Sequence, residues 1–314
     1  MTAPRAIVAM GGRSLEREIS LRGGRRVERA LRELGYDVQA LDADRDFVAR
    51  VGEARPDFVF VAMHGRGGED GTLQDLLETL SIPYTGSDPL ASALCMDKML
   101  FKRLLSLHGI PTPPFHSFNE TAFRELGGAQ TFPRLLDELA LPVLVKPVAQ
   151  GSAIGIKFVH RPEQLPGAIL GAFGYGDRVL VERHIAGREL AVTILDGSDG
   201  PRALPVVELF TPESFYSYEA HYTIGQLRME SPADLKPDVR ERVEQVALES
   251  YRLLGCRDFA RVDLILDEHE QPQVLEINTI PGLTETGIVT AAAEAAGMTF
   301  AELVGAIVAR VRAG

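Results

Sequence analysis

The chain alternates short apolar runs with amphipathic stretches along most of its length, and this alternation restricts the folds that it can adopt. Ala6 to Met10 is a β-rich run that ends at two glycines. A helical stretch follows from Leu21 to Leu34, and another apolar run extends from Phe58 to Met63. Strand and helix patterns in turn are typical of α/β layers and disfavour a β-sandwich or a helix bundle. We therefore predict an α/β fold whose ligands gather beyond the carboxyl ends of the strands.

The length of 314 residues leaves room for more than one hydrophobic core, because single cores stop growing at roughly 250 to 300 residues. A loop-like stretch at 83–89, followed by a predicted helix at 90–107, indicates a domain boundary near residue 88. We predict an N-terminal α/β substrate-binding domain at 1–88, a central lobe at 89–183 and a C-terminal lobe at 184–314.

The chain carries 33 Lys and Arg residues against 44 Asp and Glu residues, a formal net charge of −11. This acid excess disfavours nucleic acids and anionic membranes as partners, since their phosphates favour basic surfaces. No apolar run approaches the roughly 20 residues of a membrane span, and the first residues do not resemble an export signal, so we expect a cytoplasmic protein. Cys95 and Cys256 lie far apart without a CxxC partner, which argues against a zinc site or a disulfide framework.

The glycine-rich segment after Lys146 carries the strongest local signal for chemistry. Lys146 closes a predicted strand, the next loop contains Gly151, Ser152 and Gly155, and the chain then returns as a second strand. Glycines let backbone N–H groups approach a phosphate, and a nearby ammonium neutralises its charge. A Walker P-loop or a Rossmann fingerprint would need a helix directly after the glycines. The segment therefore predicts a phosphate-covering hairpin, with an ordinary glycine-containing turn as the alternative.

Oxygen-bearing side chains lie on two predicted strands near the C-terminus. Asp263 is near the start of one strand, and Glu276 and Asn278 are two residues apart on the next, so they point to the same face. Carboxylate and amide oxygens suit Mg²⁺, which completes its coordination with water and nucleotide phosphates. The alternative is that Glu276 and Asn278 only mark the solvent-facing side of a strand.

A third segment, Val179 to Leu190, begins as an apolar strand and becomes polar at Glu182 and Glu189. A linker of this kind can offer backbone groups to an adenine edge and a carboxylate to ribose hydroxyls. Its specificity is low, because a charged residue at the end of a strand is more often simply solvated.

These three segments, in this order, resemble the ATP-grasp superfamily, and further motifs resemble the D-alanine–D-alanine ligases. The motifs are GGRSLEREISL at 11–21, HGRGGEDGTLQDLLE at 64–78, YTGSDPLASALCMDK at 84–98, GSAIGI at 151–156, FYSYEAHYT at 215–223 and LEINTIPGLTETG at 275–287. The resemblance covers nearly the whole chain. It implies an ATP-grasp fold of two α+β lobes, preceded by an N-terminal Rossmann-like (pre-ATP-grasp) domain.

The family resemblance also implies an activity. In that family ATP phosphorylates the carboxylate of one D-alanine, the amine of a second attacks the acyl phosphate, and the dipeptide serves as a peptidoglycan precursor. The implied cofactors are ATP and Mg²⁺, with two ions expected and Mn²⁺ as a substitute. The implied partners are small-molecule substrates and a second copy of the chain in a homodimer.

The resemblance assigns roles to individual residues of this sequence. Those implied to bind the nucleotide are Lys98 and Lys146 at the phosphates and Glu182, Ile185 and Glu189 at the adenosine. Those implied to bind metal are Asp263, Glu276 and Asn278. Those implied in catalysis are Glu16 at the first substrate's ammonium, Ser152 and Tyr222 in the same hydrogen-bond network, and Arg261 with the Gly282 backbone at the oxyanion. His64 is implied to lie near the first amino-acid subsite.

Two departures from the family pattern fall where the second substrate is expected. His221 stands where the family usually has lysine, and Gly287 stands where a serine commonly contacts the acceptor's carboxylate. We expect both positions to bind substrate. They raise the hypothesis of another acceptor, such as D-lactate, D-serine or a specialised amine, or of a pH-dependent preference, because histidine titrates near neutrality. Alternatively, Thr284 or Thr286 supplies the missing hydroxyl.

Overall fold

The computed structural model describes residues 3–151, 154–210 and 228–311. The strands within these ranges are β1 (Arg5–Met10), β2 (Asp37–Asp42), β3 (Phe58–Val61), β4 (Phe115–Asn119), β5 (Val143–Pro147), β6 (Lys157–Val159), β7 (Arg178–Arg183), β8 (Gly187–Gly197), β9 (Gly200–Ala203), β10 (Val207–Phe210), β11 (Arg228–Glu230), β12 (Phe259–Asp267) and β13 (Pro272–Asn278). The helices are α1 (Arg17–Glu33), α2 (Phe47–Ala54), α3 (Thr72–Thr79), α4 (Pro89–Met96), α5 (Lys98–Leu107), α6 (Glu120–Glu125), α7 (Phe132–Leu139), α8 (Leu165–Ala172), α9 (Pro237–Leu253), α10 (Ile288–Ala295) and α11 (Phe300–Val311).

The N-terminal sheet is parallel, with the order β2-β1-β3. Its middle strand is buried on both faces: Val8 packs with α1, whereas Ile7 packs on the side of α2 and α3. This double burial explains why β1 and β3 are continuous apolar runs rather than alternating ones. The loops after β1 and β3 leave the same edge of the sheet, and they bring residues 11–16 close to residues 64–69.

The central sheet is antiparallel, with the order β4-β7-β5-β6. β5 and β6 form the hairpin predicted after Lys146, with Val145 opposite Lys157. β4 was not predicted, because its sequence FHSFN is only partly buried and lies at the edge of the sheet. Because β6 follows the glycine loop, the chain returns from that loop as a strand and not as a helix.

The C-terminal sheet has the order β11-β10-β8-β12-β13, and β9 pairs with β8 outside this path. β12 and β13 are antiparallel, which places Asp263 opposite Glu276 and Arg261 opposite Asn278. The pairing shifts register directly after Asp263. The two strands thus gather the predicted metal ligands and Arg261 on one ladder.

One predicted element is divided in the structure. The single helix predicted at 90–107 breaks at Asp97, which has the extended angles φ −81° and ψ 93° and accepts hydrogen bonds from two N–H groups of α5. An aspartate that caps a new helix competes with continuation of the previous one. Further along the chain, β9 and β10 are separated by a segment that contains Pro205, which cannot donate to a ladder.

The hydrophobic cores do not follow chain order. Leu303 and Ile307 of α11 pack with Val27 and Leu31 of α1. α4 and α5 pack against the C-terminal sheet, where the thiols of Cys95 and Cys256 approach to 3.7 Å as free, buried cysteines. The domain ranges 1–88, 89–183 and 184–314 stay a prediction, although each sheet lies within one of them.

None of the helices in the described part of the chain is by itself long and apolar enough to cross a membrane. α10 and α11 have that length and composition only as a pair, and they are bent by 100° relative to each other.

Candidate active site

A pocket lies between the central and C-terminal sheets, and seven of the predicted site residues line it. They are Lys98, Lys146, Glu182, Ile185, Glu189, Asp263 and Glu276. Apolar side chains of the same pocket come from both lobes and include Leu144, Ile156, Leu190, Leu209 and Leu275. A cleft with apolar walls and clustered charges can accommodate a flat base together with phosphate groups.

Lys98 is the first residue of α5, and the helix break at Asp97 directs it into the pocket. Its ammonium lies 2.9 Å from Oε2 of Glu276 and donates to the carbonyl oxygen of Gln150 at 2.9 Å. Asp97 is fixed in turn by the guanidinium of Arg178, at 2.9 Å. Lys98 therefore connects the glycine loop to the predicted metal ligands.

Lys146 and Glu182 meet on neighbouring strands of the central sheet. The Lys146 ammonium donates to Oε1 of Glu182 at 2.6 Å, and the Lys102 ammonium lies 2.6 Å from Oε2. Burial alone would raise the pKa of Glu182, but the two ammonium groups lower it. Sequence reasoning missed Lys102, which follows Lys98 by four residues and so lies on the same face of α5.

Each predicted metal ligand already has a partner within the protein. Arg261 donates two hydrogen bonds of 2.7 Å to Asp263, and Oδ1 of Asn278 accepts from the N–H of Ile280. Burial and the nearby Glu276 carboxylate raise the pKa of Asp263, although Arg261 opposes this shift. Burial would also raise the pKa of Glu276, but Lys98 and other cations lower it to about 2.

This arrangement fits a magnesium ion that depends on the nucleotide for part of its coordination. Asp263 and Glu276 are partly buried and lie opposite each other, so their carboxylates repel, and a divalent cation would relieve that repulsion. Within the described ranges, no three His, Cys, Asp or Glu side chains are grouped as a metal site. Asp263, Glu276 and Asn278 would thus need phosphate or water oxygens to complete a coordination sphere.

Glu189 and Ile185 line the pocket beside the apolar side chains. Burial, with a smaller contribution from Asp263, raises the pKa of Glu189 to about 7. A carboxyl group in this state can accept or donate a hydrogen bond to a hydroxyl near neutral pH.

A second cluster lies where the loops after β1 and β3 meet the glycine loop. Glu16 is buried, and a Cβ atom added to Gly151 would lie 3.1 Å from its Oε2. A Cβ atom on Gly65 would overlap the same oxygen. The side chain of Ser14 and the backbone of His64 are joined nearby, since the Ser14 hydroxyl donates to the His64 carbonyl at 2.7 Å. Glu16 therefore lies between the N-terminal domain and the glycine loop.

His64 is buried against a carboxylate that sequence reasoning did not single out. Its Nδ1 lies 3.1 Å from Oε1 of Glu69, which is also buried. In the sequence, the signal for this contact was the glutamate of HGRGGED, which follows the histidine by five residues. Glu69 fixes the orientation of the imidazole at this edge of the sheet.

Gly287 and Gly282 come together in the loop before α10. A Cβ atom on Gly287 would lie 2.9 Å from the Gly282 carbonyl oxygen and 3.3 Å from the Thr284 hydroxyl oxygen. Arg26 anchors this loop, because its guanidinium donates to the carbonyl of Thr284 at 2.9 Å and to the hydroxyl of Thr290 at 2.8 Å. The Thr284 hydroxyl thus lies next to the place of the serine expected from the resemblance.

Ser152, His221 and Tyr222 lie outside the described residues. The roles that the resemblance implies for these three residues stay predictions.

Solved structures of similar proteins cover almost the entire chain. The D-alanine–D-alanine ligase of Bacillus anthracis, in a complex with ATP, has a TM-score of 0.83 and 30% identity, covering 99% of this chain and 98% of that one. A D-Ala:D-Ser ligase from Enterococcus faecalis has a TM-score of 0.83 and 27% identity, covering 98% of this chain and 99% of that one. The predicted ATP-grasp architecture is confirmed by these similarities.

Sequence comparisons agree with this result. Residues 104–309 match the family model "D-ala D-ala ligase C-terminus", and residues 47–87 match "D-ala D-ala ligase N-terminus". A D-alanine–D-alanine ligase from Desulforudis audaxviator is 48% identical over 298 residues, with 95% of each chain covered. One from Moorella thermoacetica is 44% identical over 301 residues, covering 96% of this chain and 97% of that one. The chain therefore belongs to the D-alanine–D-alanine ligase family.

Proposed function

We propose that the protein is an ATP-dependent ligase that joins two D-alanines and releases ADP and phosphate. The observation that carries this proposal is the group of charges in the pocket, where Lys98 lies beside the partly buried Glu276 and Lys146 beside the buried Glu182. Such a site can neutralise a phosphoryl group during its transfer to a carboxylate. The similarity to D-alanine–D-alanine ligases over 95% of the chain supports D-alanine as the substrate and a role in peptidoglycan precursor synthesis.

For the nucleotide, we assign the phosphates to Lys98 and Lys146. The apolar walls would hold the base, with the backbone of Ile185 at its edge, and Glu189 would bind the ribose hydroxyls. Glu182 would act through Lys146, because its carboxylate is already held by two lysines.

For the metal, Asp263, Glu276 and Asn278 would hold one or two Mg²⁺ ions, which Mn²⁺ can replace. When bound, the metal supplies positive charge that stabilises the transferring phosphoryl group. Lys98 would then contact the phosphate as well as Glu276. Arg261 would donate hydrogen bonds both to Asp263 and to the reacting carbonyl oxygen.

For the amino acids, Glu16 would bind the ammonium of the first D-alanine, with His64 at the same subsite. Arg261 and the backbone N–H of Gly282 would stabilise the oxyanion of the tetrahedral intermediate. Ser152 and Tyr222 would complete the network from outside the described residues. We also propose a homodimeric, cytoplasmic enzyme.

The acceptor is proposed to be D-alanine, despite His221 and Gly287. The relatives with 44–48% identity are D-alanine–D-alanine ligases, whereas the D-Ala:D-Ser ligase is 27% identical. Thr284 would supply the hydroxyl that Gly287 lacks, since the Thr284 hydroxyl lies next to the place of a side chain at position 287. The hypothesis of another acceptor is therefore not favoured.

The test is to incubate the protein with ATP, Mg²⁺ and D-alanine, measure phosphate release, and identify the product by mass. We expect D-alanyl-D-alanine, with one phosphate released for each peptide bond. L-alanine serves as the stereochemical control, and D-serine and D-lactate are offered as acceptors in parallel over pH 6 to 9. Phosphate release without a dipeptide, or a preferred product containing D-serine or D-lactate, would overturn the proposal.

A further inference from the structure

Lys102 is an ionisable residue buried behind the pocket, and no motif identified it. It is fully buried, with 0% of its surface exposed, and it does not line the pocket. Its ammonium lies 2.6 Å from Oε2 of Glu182 and donates to the hydroxyl oxygen of Thr112 at 2.5 Å. The ring of Phe115 lies 5.4 Å away on the remaining side. Burying an ammonium group in this way is costly unless the group is paired with an opposite charge and hydrogen-bonded.

The contacts of Lys102 connect α5 with β7 and β13. Glu182 lies on β7 and also binds Lys146, while the Thr112 hydroxyl donates to the carbonyl of Val274 on β13 at 2.7 Å. Because Lys102 is one helical turn after Lys98, α5 presents one ammonium to the pocket and another to the rear of Glu182.

Charge balance shows what Lys102 contributes. Lys102, Glu182 and Lys146 together carry two positive charges and one negative charge, and hence a net charge of +1. Without Lys102 the remaining pair would be neutral, and both carboxylate oxygens would be available to hold Lys146. Lys146, which lines the pocket, would then offer less positive charge to a phosphate.

We propose that Lys102 is a positioning residue for nucleotide binding, which neutralises Glu182 from behind and so leaves Lys146 available to the phosphates. This inference rests on the proposed function, because it takes ATP as the ligand. It does not require Lys102 to touch the nucleotide.

The proposal predicts a pH dependence of nucleotide binding. Burial lowers the pKa of Lys102 to about 8, although Glu182 on β7 and Glu276 on β13 favour its charged form and Lys146 on β5 opposes it. Thr112 and Phe115, the other neighbours, are neutral. Lys102 is therefore charged at pH 7, and the net charge of the triad falls from +1 to zero as the pH rises through about 8.

The test compares Lys102→Met with the double variant Lys102→Met/Glu182→Gln. The dissociation constant of Mg²⁺–ATP is measured by calorimetry in the absence of D-alanine. We expect Lys102→Met to weaken binding about tenfold, which corresponds to about 1.4 kcal/mol. The double variant restores the net charge of +1 on Lys146 alone, so it should recover most of the lost affinity. Thr112→Val, which removes a hydrogen bond but keeps the charge, is the matched control and should change binding far less.

The wild-type protein should also lose ATP affinity above pH 8, and Lys102→Met should lack that loss. If Lys102→Met does not fold, as judged by thermal unfolding, Lys102→Gln keeps a hydrogen-bond donor for Thr112 and replaces it in every comparison. The proposal is wrong if the charge-removing variant binds ATP within twofold of wild type, or if the double variant binds no better than the single one. Failure of the proposed function is distinct, because the wild-type protein would then form no D-alanyl-D-alanine.

Discussion

Gly65 offers a direct test of the position of Glu16. Its backbone is left-handed, with φ 68°, and an added Cβ atom would overlap Oε2 of Glu16 and lie 3.2 Å from the Ser14 hydroxyl oxygen. Gly67 is also left-handed, with φ 89°, but the nearest atom to its added Cβ is the terminal methyl carbon of Met63 at 4.0 Å. Gly65→Ala therefore displaces Glu16, whereas Gly67→Ala introduces backbone strain alone.

The size of the effect follows from this comparison. Either alanine adopts a left-handed conformation at a cost of about 1 to 2 kcal/mol in stability. Only Gly65→Ala also disturbs a hydrogen bond from the substrate's ammonium to a carboxylate, and such bonds contribute about 1.5 to 3 kcal/mol. We expect kcat/KM for D-alanine to fall roughly 10- to 100-fold in Gly65→Ala and to stay close to the wild-type value in Gly67→Ala.

The assay is steady-state dipeptide synthesis at saturating Mg²⁺–ATP, at a temperature where thermal unfolding shows both variants to be folded. The dissociation constant of ATP should be unchanged in both, because Glu16 is outside the nucleotide pocket. If Gly65→Ala and Gly67→Ala have kcat/KM values within twofold of each other, Glu16 does not bind the substrate at this place.

Three further predictions concern other parts of the fold. Burial raises the pKa of Asp258 to about 6. The stabilisation of the fold by the protonated carboxyl group is therefore fully present below a pH of about 4 and is lost as the pH rises through 6. Asp258→Asn, which keeps an acceptor for the Gly86 N–H, should raise the unfolding temperature more at pH 8 than at pH 4; equal gains would contradict this. Gly287→Ser should lower kcat several-fold, because its Cβ would lie 2.9 Å from the Gly282 carbonyl oxygen; an unchanged kcat in dipeptide synthesis would refute the predicted crowding. Asp97→Ala should lower the free energy of unfolding in urea by about 1 kcal/mol, since it removes the cap of α5; undiminished stability would show that the cap is dispensable.

Local patterns predicted several parts of the molecule correctly. The β5–β6 hairpin follows from glycines that are succeeded by an apolar run, and the common face of Glu276 and Asn278 follows from the period of a strand. These features depend on residues that are close in sequence. The motifs that resemble the D-alanine–D-alanine ligases extended the prediction to family and fold, both of which are confirmed.

Other local patterns were misleading. The helical period of 90–107 is continuous, yet the helix is interrupted at Asp97. The Asp97 carboxylate caps α5 and is fixed by Arg178 from a distant strand. The sequence also gave no reason to relate Cys95 to Cys256, whose thiols meet only because α4 packs on the C-terminal sheet.

The sequence by itself determined the α/β alternation, the hairpin, the spacing of the carboxylates and the family. Tertiary structure alone decided which groups come together: Lys102 with Glu182, and the Glu16 carboxylate with the positions of Gly65 and Gly151. The physical reason is that side-chain periodicity is a property of neighbouring residues, whereas the burial and pairing of a charge depend on segments from other sheets. A lysine in an amphipathic helix is solvated in most settings, and only the approach of α5 to Glu182 of β7 made Lys102 part of this site.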